Sequence, residues 1–353
     1  MNSTPLRPNP TMQEGPTPVA HTPSALKSTQ PSSIPPDAVG ADVDSAPSGK
    51  GVPAPTGRVE GPRASERKHA WLHRIRGFNL WIGGAIVLFV VVCAIFAPLI
   101  APHDPLDQDL LHMLTPPAWT ADGDAAFPLG TDSLGRDVLS RLLYGARVAL
   151  MVAIVASIGA ALVGSTLAIL AGYFGGKVDR VISYLVDLWM SFPPVVLSLV
   201  LMVSLGVGIQ NVILSIVLVD WTRFCRVVRA EVMVVRQRDY VLAAQLLNFT
   251  HMRIMLREIL PAALPLIITL MSLQMGVAIT VEALLSFIGL SVPANVTAWG
   301  VMIADARISM HEQMSGLVFP VLAIVITVLG CNLLGDGLRV ALDPRMRGRG
   351  EEA

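Results

Sequence analysis

The sequence predicts an all-α membrane protein of six transmembrane helices with both termini in the cytoplasm. Three observations carry this. Of the 353 residues, 53% are apolar and only 15% are charged, where a soluble domain carries about a quarter. The missing charge is concentrated in long uncharged runs, as crossing hydrocarbon requires. Lys and Arg also collect on alternate connections between those runs, and this orients the chain.

The elements follow in order. Residues 1–68 hold 13 of the 26 prolines, with much Ser, Thr and Ala. Such a segment buries too little apolar surface to offset its ordering entropy, so it reads as a disordered cytoplasmic tail. It is too polar and Pro-rich for a signal peptide; a passive extension and a docking tail both fit. The N-terminal region 69–145 holds a first span at 80–101, uncharged for 22 residues, and an outer loop. The core, 146–338, holds spans expected at about 148–173, 181–205, 210–228, 259–282 and 313–336. The third and fourth come from one uncharged run, 188–219, which divides at the turn-like Gly206-Val-Gly-Ile-Gln-Asn211. Residues 283–304 are also uncharged, but Pro293, Asn295 and Trp299-Gly300 interrupt them. They read as a loop partly at membrane depth, tolerated where it packs on protein or lines a wet cavity. A short cytoplasmic tail, 339–353, ends the chain.

With this arrangement 22 of the 26 Lys and Arg residues fall on cytoplasmic segments, and only Arg136, Arg141, Arg147 and Arg307 fall outside. A seventh span would place the basic C-terminal end outside. The zero formal net charge gives no footprint for nucleic acid. Cys93, Cys225 and Cys331 lie far apart in or beside apolar runs, so they form neither a disulfide framework nor a metal cluster. No metal, cofactor or catalytic residue is implied. There is no Gly-rich phosphate loop followed by Lys-Ser/Thr, so the chain is not expected to hydrolyse ATP itself.

The longest inner connection is patterned. Asp239 is a candidate N-cap for a helix running Tyr240 to Leu247. Asn248 stands at the left-handed C′ position, where Asn ranks after Gly, and Thr250 is placed to cap a second helix through Arg253. Helix, sharp turn and helix make a rigid knob that a partner can grip. An amphipathic helix lying on lipid headgroups is the plainer reading of the same residues.

The stretch Asp239-Tyr-Val-Leu-Ala-Ala-Gln-Leu-Leu-Asn-Phe-Thr, with Arg253-Ile254 and Ile259-Leu260-Pro261, resembles the "EAA" loop of bacterial ABC-importer permeases. The resemblance implies a coupling loop at 237–261 that docks on an ATPase, with Asp239, Tyr240, Ala243, Ala244, Gln245, Asn248 and Arg253 as its residues. Two positions depart: Leu242 stands for the motif's Glu, and Asn248 for its Gly. The second is mild, because Asn tolerates the same backbone; the first removes a capping-box partner three residues after the expected cap. Four other segments are similar to C-type permeases of dipeptide and oligopeptide importers. These are Pro128-Leu-Gly-Thr-Asp-Ser-Leu-Gly-Arg-Asp137 with Ser140-Arg141 and Gly145-Ala-Arg147, Gly172-Tyr-Phe-Gly-Gly-Lys-Val-Asp179, Glu282 to Leu290 with Trp299-Gly300, and Asn332 to Arg339 with Leu342-Asp-Pro-Arg345.

That family implies the type I importer permease fold in the bacterial inner membrane. Its implied partners are a related B-type permease completing the pore, two cytoplasmic ABC ATPases and an extracytoplasmic peptide-binding protein. The implied cargo is dipeptides or oligopeptides, with nickel complexes and glutathione as neighbouring classes. An ion-gradient-driven transporter working alone would instead show inverted repeats. A membrane anchor for an enzyme complex would not need the patterned loop.

Intramembrane acids often mark pathways. Asp187 and Glu282 are candidate pore residues, with pairing to a nearby Arg the plainer reading of Asp187; Glu282 is a candidate contact for a cationic peptide terminus. Asp220 reads as an interfacial acid paired with Arg223. Pro193-Pro194 must interrupt the third span and is a candidate gate. From 134 to 144 the pattern predicts an interfacial helix with Asp137 and Arg141 paired at (i, i+4).

Overall fold

The computed structural model describes residues 64–293 and 295–342, with side chains from residue 79 onward. The Pro-rich tail up to residue 63 and the C-terminal end from residue 343 lie outside the described residues. Every regular element among the described residues is helical, apart from one isolated bridge between Thr131 and Asp137.

The long helices are α1 (Ala64–Ile95), continued after a break at Phe96 by the short α2 (Ala97–Ile100), and α3 (Val138–Phe174). Next come α4 (Gly176–Met190), α5 (Pro194–Leu205) and α6 (Ile209–Val235). A short pair, α7 (Asp239–Leu246) and α8 (His251–Ile254), leads through a π turn (Met255–Ile259) into α9 (Leu260–Phe287). The chain closes with α10 (Trp299–Ala306) and α11 (Ser315–Leu342). No single helix crosses 283–304: α9 ends inside it, an irregular stretch follows, and α10 begins at Trp299.

By length and composition three helical stretches can cross a membrane: Val138–Phe174, His251–Phe287 and Ser315–Leu342. A fourth is the pair α4 and α5 taken together, bent by 85°. The apolar part of α1, Asn79–Ile95, is shorter than these.

At the centre α3 packs on α6 and α9, while α1 packs on α11. The α3 face turned inward is rich in small residues: Ala149, Ala153, Ala156 and Ala160 are fully buried. Small residues let helix backbones approach closely where lipid offers no hydrophobic drive between helices. Gly164 shows how close: a Cβ there would lie 2.3 Å from the Trp221 carbonyl oxygen of α6.

One sequence expectation needs correction, and two others are filled in by the geometry. The interfacial helix expected at 134–144 is not separate; α3 starts at Val138, ten residues before the expected span. Its N-cap is Asp137, whose carboxylate accepts from the Leu139 and Ser140 backbone N–H groups. Asp137 is therefore not the partner of Arg141, which pairs elsewhere. At Pro193-Pro194 the helix is interrupted as expected, between α4 and α5. Pro194 disfavours helical geometry at the residue before it, Pro193 is extended at ψ 127°, and the axis turns by 85°. The helix expected after Thr250 runs, as anticipated, into Ile259-Leu260-Pro261. The helix runs from His251, and the π turn explains how: Leu260 N–H reaches back five residues to Met255, just before Pro261, which has no N–H to give.

The division between α5 and α6 falls at the expected glycines. Gly206 has φ 82°, and the Asn211 side-chain amide donates to the Leu205 and Gly206 carbonyls at 2.9 and 3.0 Å. This satisfies helix-end acceptors that would otherwise be orphaned.

Candidate functional site

The segment 237–261 forms one knob. The chain leaves α6 at Arg236 and becomes extended at Arg238 (ψ 148°), the N-cap of α7. Asp239 is thus the first helical residue and not the cap; its charge favours the helix N-terminus through the dipole. With this register Val241 holds the third position, so a Glu in place of Leu242 would not complete a capping box with Asp239. The departure at Leu242 carries no loss of capping.

The C-terminus of α7 is a full Schellman motif. Asn248 has φ 57°, Asn248 N–H donates to Gln245 at 3.0 Å, and Phe249 N–H donates to Ala244 at 3.2 Å. Thr250 then N-caps α8 by backbone geometry (ψ 144°), without a side-chain hydrogen bond.

The knob is anchored from below. Val241, Ala244, Ile254, Met255 and Ile259 are buried in one cluster with Tyr173, Val232 and Val235. The Tyr173 hydroxyl lies 2.7 Å from His251 Nδ1, tying the end of α3 to α8. Above this base Asp239, Tyr240, Ala243, Gln245, Asn248 and Arg253 are exposed, and only Ala244 among the expected coupling residues is buried. The Arg253 guanidinium stacks 4.0 Å over the Phe249 ring, which fixes both side chains. Leu246 is 87% and Leu247 68% exposed, an apolar tip with no cover among the described residues. Clefts of about 440 and 540 Å³ flank α7, and Arg236 and Gln245 line both.

The other expected residues do not join this site. Asp187 lies exposed on α4 and pairs with Arg226 at 2.8 Å, not with Arg180 or Arg223. Asp220 is buried and accepts from the Gln274 side chain of α9 at 2.6 Å; its partner is this amide, not Arg223. Glu282 is 1% exposed and accepts from Ser286 at 2.5 Å and Ser291 at 3.3 Å.

At the opposite end of α3, about 55 Å away by helix length, is a buried ion cluster that sequence reasoning missed. Asp132 accepts from Arg136 Nε at 2.7 Å and from Arg141 Nη1. Both arginines also reach Asp305 of α10, at 2.8 and 3.1 Å. The Arg141 and Asp132 side chains are 3% and 5% exposed. The turn that presents Asp132 requires Gly135, at φ 73° with the Asp109 carbonyl oxygen 1.8 Å from where a Cβ would stand. Alongside, Trp299 Nε1 donates to the Leu142 carbonyl at 2.9 Å, and its indole fills the space over Gly145. Gly300 sits so close to α9 that a Cβ would be 2.1 Å from the Ala283 carbonyl oxygen. The motif residues Asp132, Arg136, Arg141 and Trp299-Gly300 are therefore a latch that clamps α10 between α3 and α9.

Comparison with known proteins agrees with this anatomy. The family of binding-protein-dependent transport system inner membrane components matches residues 164–348. The N-terminal transmembrane domain of oligopeptide transport permease C matches residues 80–117. A di/tripeptide transport system permease protein of Pseudomonas aeruginosa is 38% identical over 75% of this chain and 88% of its own length. A dipeptide transport system permease protein of Haemophilus influenzae is 34% identical over 78% of this chain and 94% of its own. A glutathione transport system permease protein of Pectobacterium atrosepticum is 34% identical over 78% and 90%. A buried helical core, apolar helices long enough to span and matches over most of the length lead to one assignment: the chain belongs to the inner-membrane permease family of binding-protein-dependent ABC transport systems, as a multi-pass membrane protein of the dipeptide and oligopeptide C type.

Proposed function

We propose that this chain forms half of the translocation pore of an ATP-driven importer for dipeptides or oligopeptides in a bacterial inner membrane. In this reading six helices span the bilayer, both ends are cytoplasmic, and a related B-type permease supplies the other half of the pore. Two ABC ATPases dock from the cytoplasm and a peptide-binding protein delivers cargo from outside.

The observation that carries the reading is the knob at 239–254. It is anchored at its base and apolar at its tip, and α6 and α9 connect it covalently to the membrane core. A push on α7 is transmitted because Val241 and Ala244 are packed against α3 and α6 residues rather than floating on a loop. ATP-driven closure of the ATPases then has two states to discriminate, as coupling requires. The 85° break between α4 and α5 is the element proposed to move, since a Pro-Pro break holds no continuous hydrogen-bond ladder to resist it.

The test is co-expression of the chain with candidate partner permeases and ATPases, purification through a tag on this chain, and uptake in proteoliposomes. ATP-dependent uptake of labelled dipeptides supports the proposal. Uptake driven by an ion gradient without any ATPase would overturn it. The relatives named for glutathione favour a second cargo class, so glutathione is included as a competitor.

A further inference from the structure

At the end of the molecule opposite the knob, a cleft of about 330 Å³ opens beside the latch. This volume lies within the range of roughly 300–1,000 Å³ common to small-molecule sites. Its walls come from three separate parts of the chain: Asp104 and Leu106 after α2, Tyr144, Arg147 and Val148 on α3, and Thr297 just before α10. We propose that this cleft binds the charged ends of a short zwitterionic peptide, the α-ammonium at Asp104 and the α-carboxylate at Arg147. The ligand class rests on the peptide reading given above.

The argument joins two exposed charges of opposite sign, Asp104 and Arg147, with one buried hydroxyl, that of Thr297. Asp104 Oδ1 accepts from the Leu106 backbone N–H at 2.8 Å, which fixes the carboxylate and leaves Oδ2 without a partner among the described residues. Arg147 makes no ion pair or side-chain hydrogen bond among the described residues; its guanidinium lies 5.7 Å from the Tyr144 ring centroid. The two opposite charges line one cleft and do not pair with each other. A guest carrying both signs completes each of them with charge-assisted hydrogen bonds. Thr297, on the third wall, is 6% exposed, and its hydroxyl has no hydrogen-bond partner. Leu106, Tyr144 and Val148 supply an apolar wall for the guest's side chains. None of these groups is used by the latch, although Arg147 stands only six residues along α3 from Arg141, about 9 Å of helix. In the proposed topology the cleft faces the side from which cargo arrives.

The test measures equilibrium binding of labelled Ala-Ala to the full chain in nanodiscs, beside N-acetyl-Ala-Ala and Ala-Ala-amide as competitors. Asp104→Asn is expected to weaken Ala-Ala about tenfold, the scale of one charge-assisted hydrogen bond, and to abolish the preference for Ala-Ala over the N-acetyl form. Arg147→Gln is expected to do the same for the amide, with Arg147→Lys restoring part of the preference. Absence of saturable binding to the wild-type chain, or equal loss of all three ligands in both variants, would overturn the proposal. ATP-driven uptake by the assembled transporter is scored separately. Uptake with a flat binding pattern sinks the cleft alone. The reciprocal binding pattern with no uptake of any peptide sinks the importer reading and leaves the cleft as a zwitterion site.

Discussion

Replacing Asp132 or Asp305 of the latch removes one of two carboxylates that hold two arginines, yet the two replacements should differ in cost. Asp132 is 5% exposed and receives Arg136 Nε, Arg141 Nη1 and the backbone N–H groups of Leu134 and Arg136. Asp132→Asn leaves Arg141, itself 3% exposed, short of its nearest counter-charge. Breaking a buried pair from one side costs about 3–5 kcal/mol. Asp305 is 33% exposed and, among the described residues, accepts from only the two guanidiniums. Water screens that carboxylate, so Asp305→Asn should cost ~1–2 kcal/mol, between an exposed and a buried pair. The assay is reversible unfolding of the purified chain in mixed dodecylmaltoside and SDS micelles, followed by far-UV circular dichroism. The expected order of midpoints is wild type, then Asp305→Asn, then Asp132→Asn well below. Adding Arg136→Met to Asp305→Asn should recover part of the loss, because it removes a charge left without its second partner. If Asp305→Asn costs as much as Asp132→Asn, or if neither moves the midpoint, the cluster does not clamp α10 and the reasoning is wrong.

Three further outcomes are expected. Gly300→Ala should destabilise by about 1–3 kcal/mol through overpacking, because its Cβ would meet the Ala283 carbonyl at 2.1 Å, whereas Gly84→Ala, with nothing within 4 Å, should unfold like the wild type in the same assay. Asn248→Gly should keep the α7 turn, while Asn248→Val should cost on the order of 1–2 kcal/mol by forcing a β-branched residue to φ 57°; peptide-stimulated ATPase activity of the assembled complex reads the difference. Leu246→Asp should leave the unfolding midpoint within about 0.5 kcal/mol of wild type, as exposed substitutions do, since Leu246 is 87% exposed; it should nonetheless abolish co-purification of the ATPase.

How much of this was legible in the sequence depends on how local each signal is. Asn248 announces its own left-handed turn because its side chain sets its backbone preference. Pro193-Pro194 announces a break for the same reason, but not its 85° angle, which depends on what α4 and α5 pack against. The latch was illegible. Asp132 and Arg136 read only as part of a family-like stretch and Arg141 as a helix-surface partner of Asp137, while Asp305, the carboxylate that both arginines share with Asp132, lies 164 residues from Arg141. The (i, i+4) rule favoured Asp137 as the partner of Arg141, and capping won because Asp137 stands at the helix start with orphan N–H groups to satisfy. The α7 cap lies one residue before Asp239, at the extended backbone of Arg238, which makes no side-chain cap hydrogen bond. The knob was readable because its turn, caps and apolar face lie within about 25 consecutive positions, the scale on which turn and capping chemistry operates.

The central claim is that α7 transmits the state of an ATPase to the membrane core. The direct measurement is a disulfide crosslink between Gln245→Cys, exposed beside the apolar tip, and cysteines placed along the docking groove of the co-expressed ATPase, with and without ATP. The account predicts a crosslink at one groove position whose yield changes when ATP binds. Good labelling of the cysteine from the cytoplasm, with no crosslink to any co-expressed ATPase in either state, would contradict it.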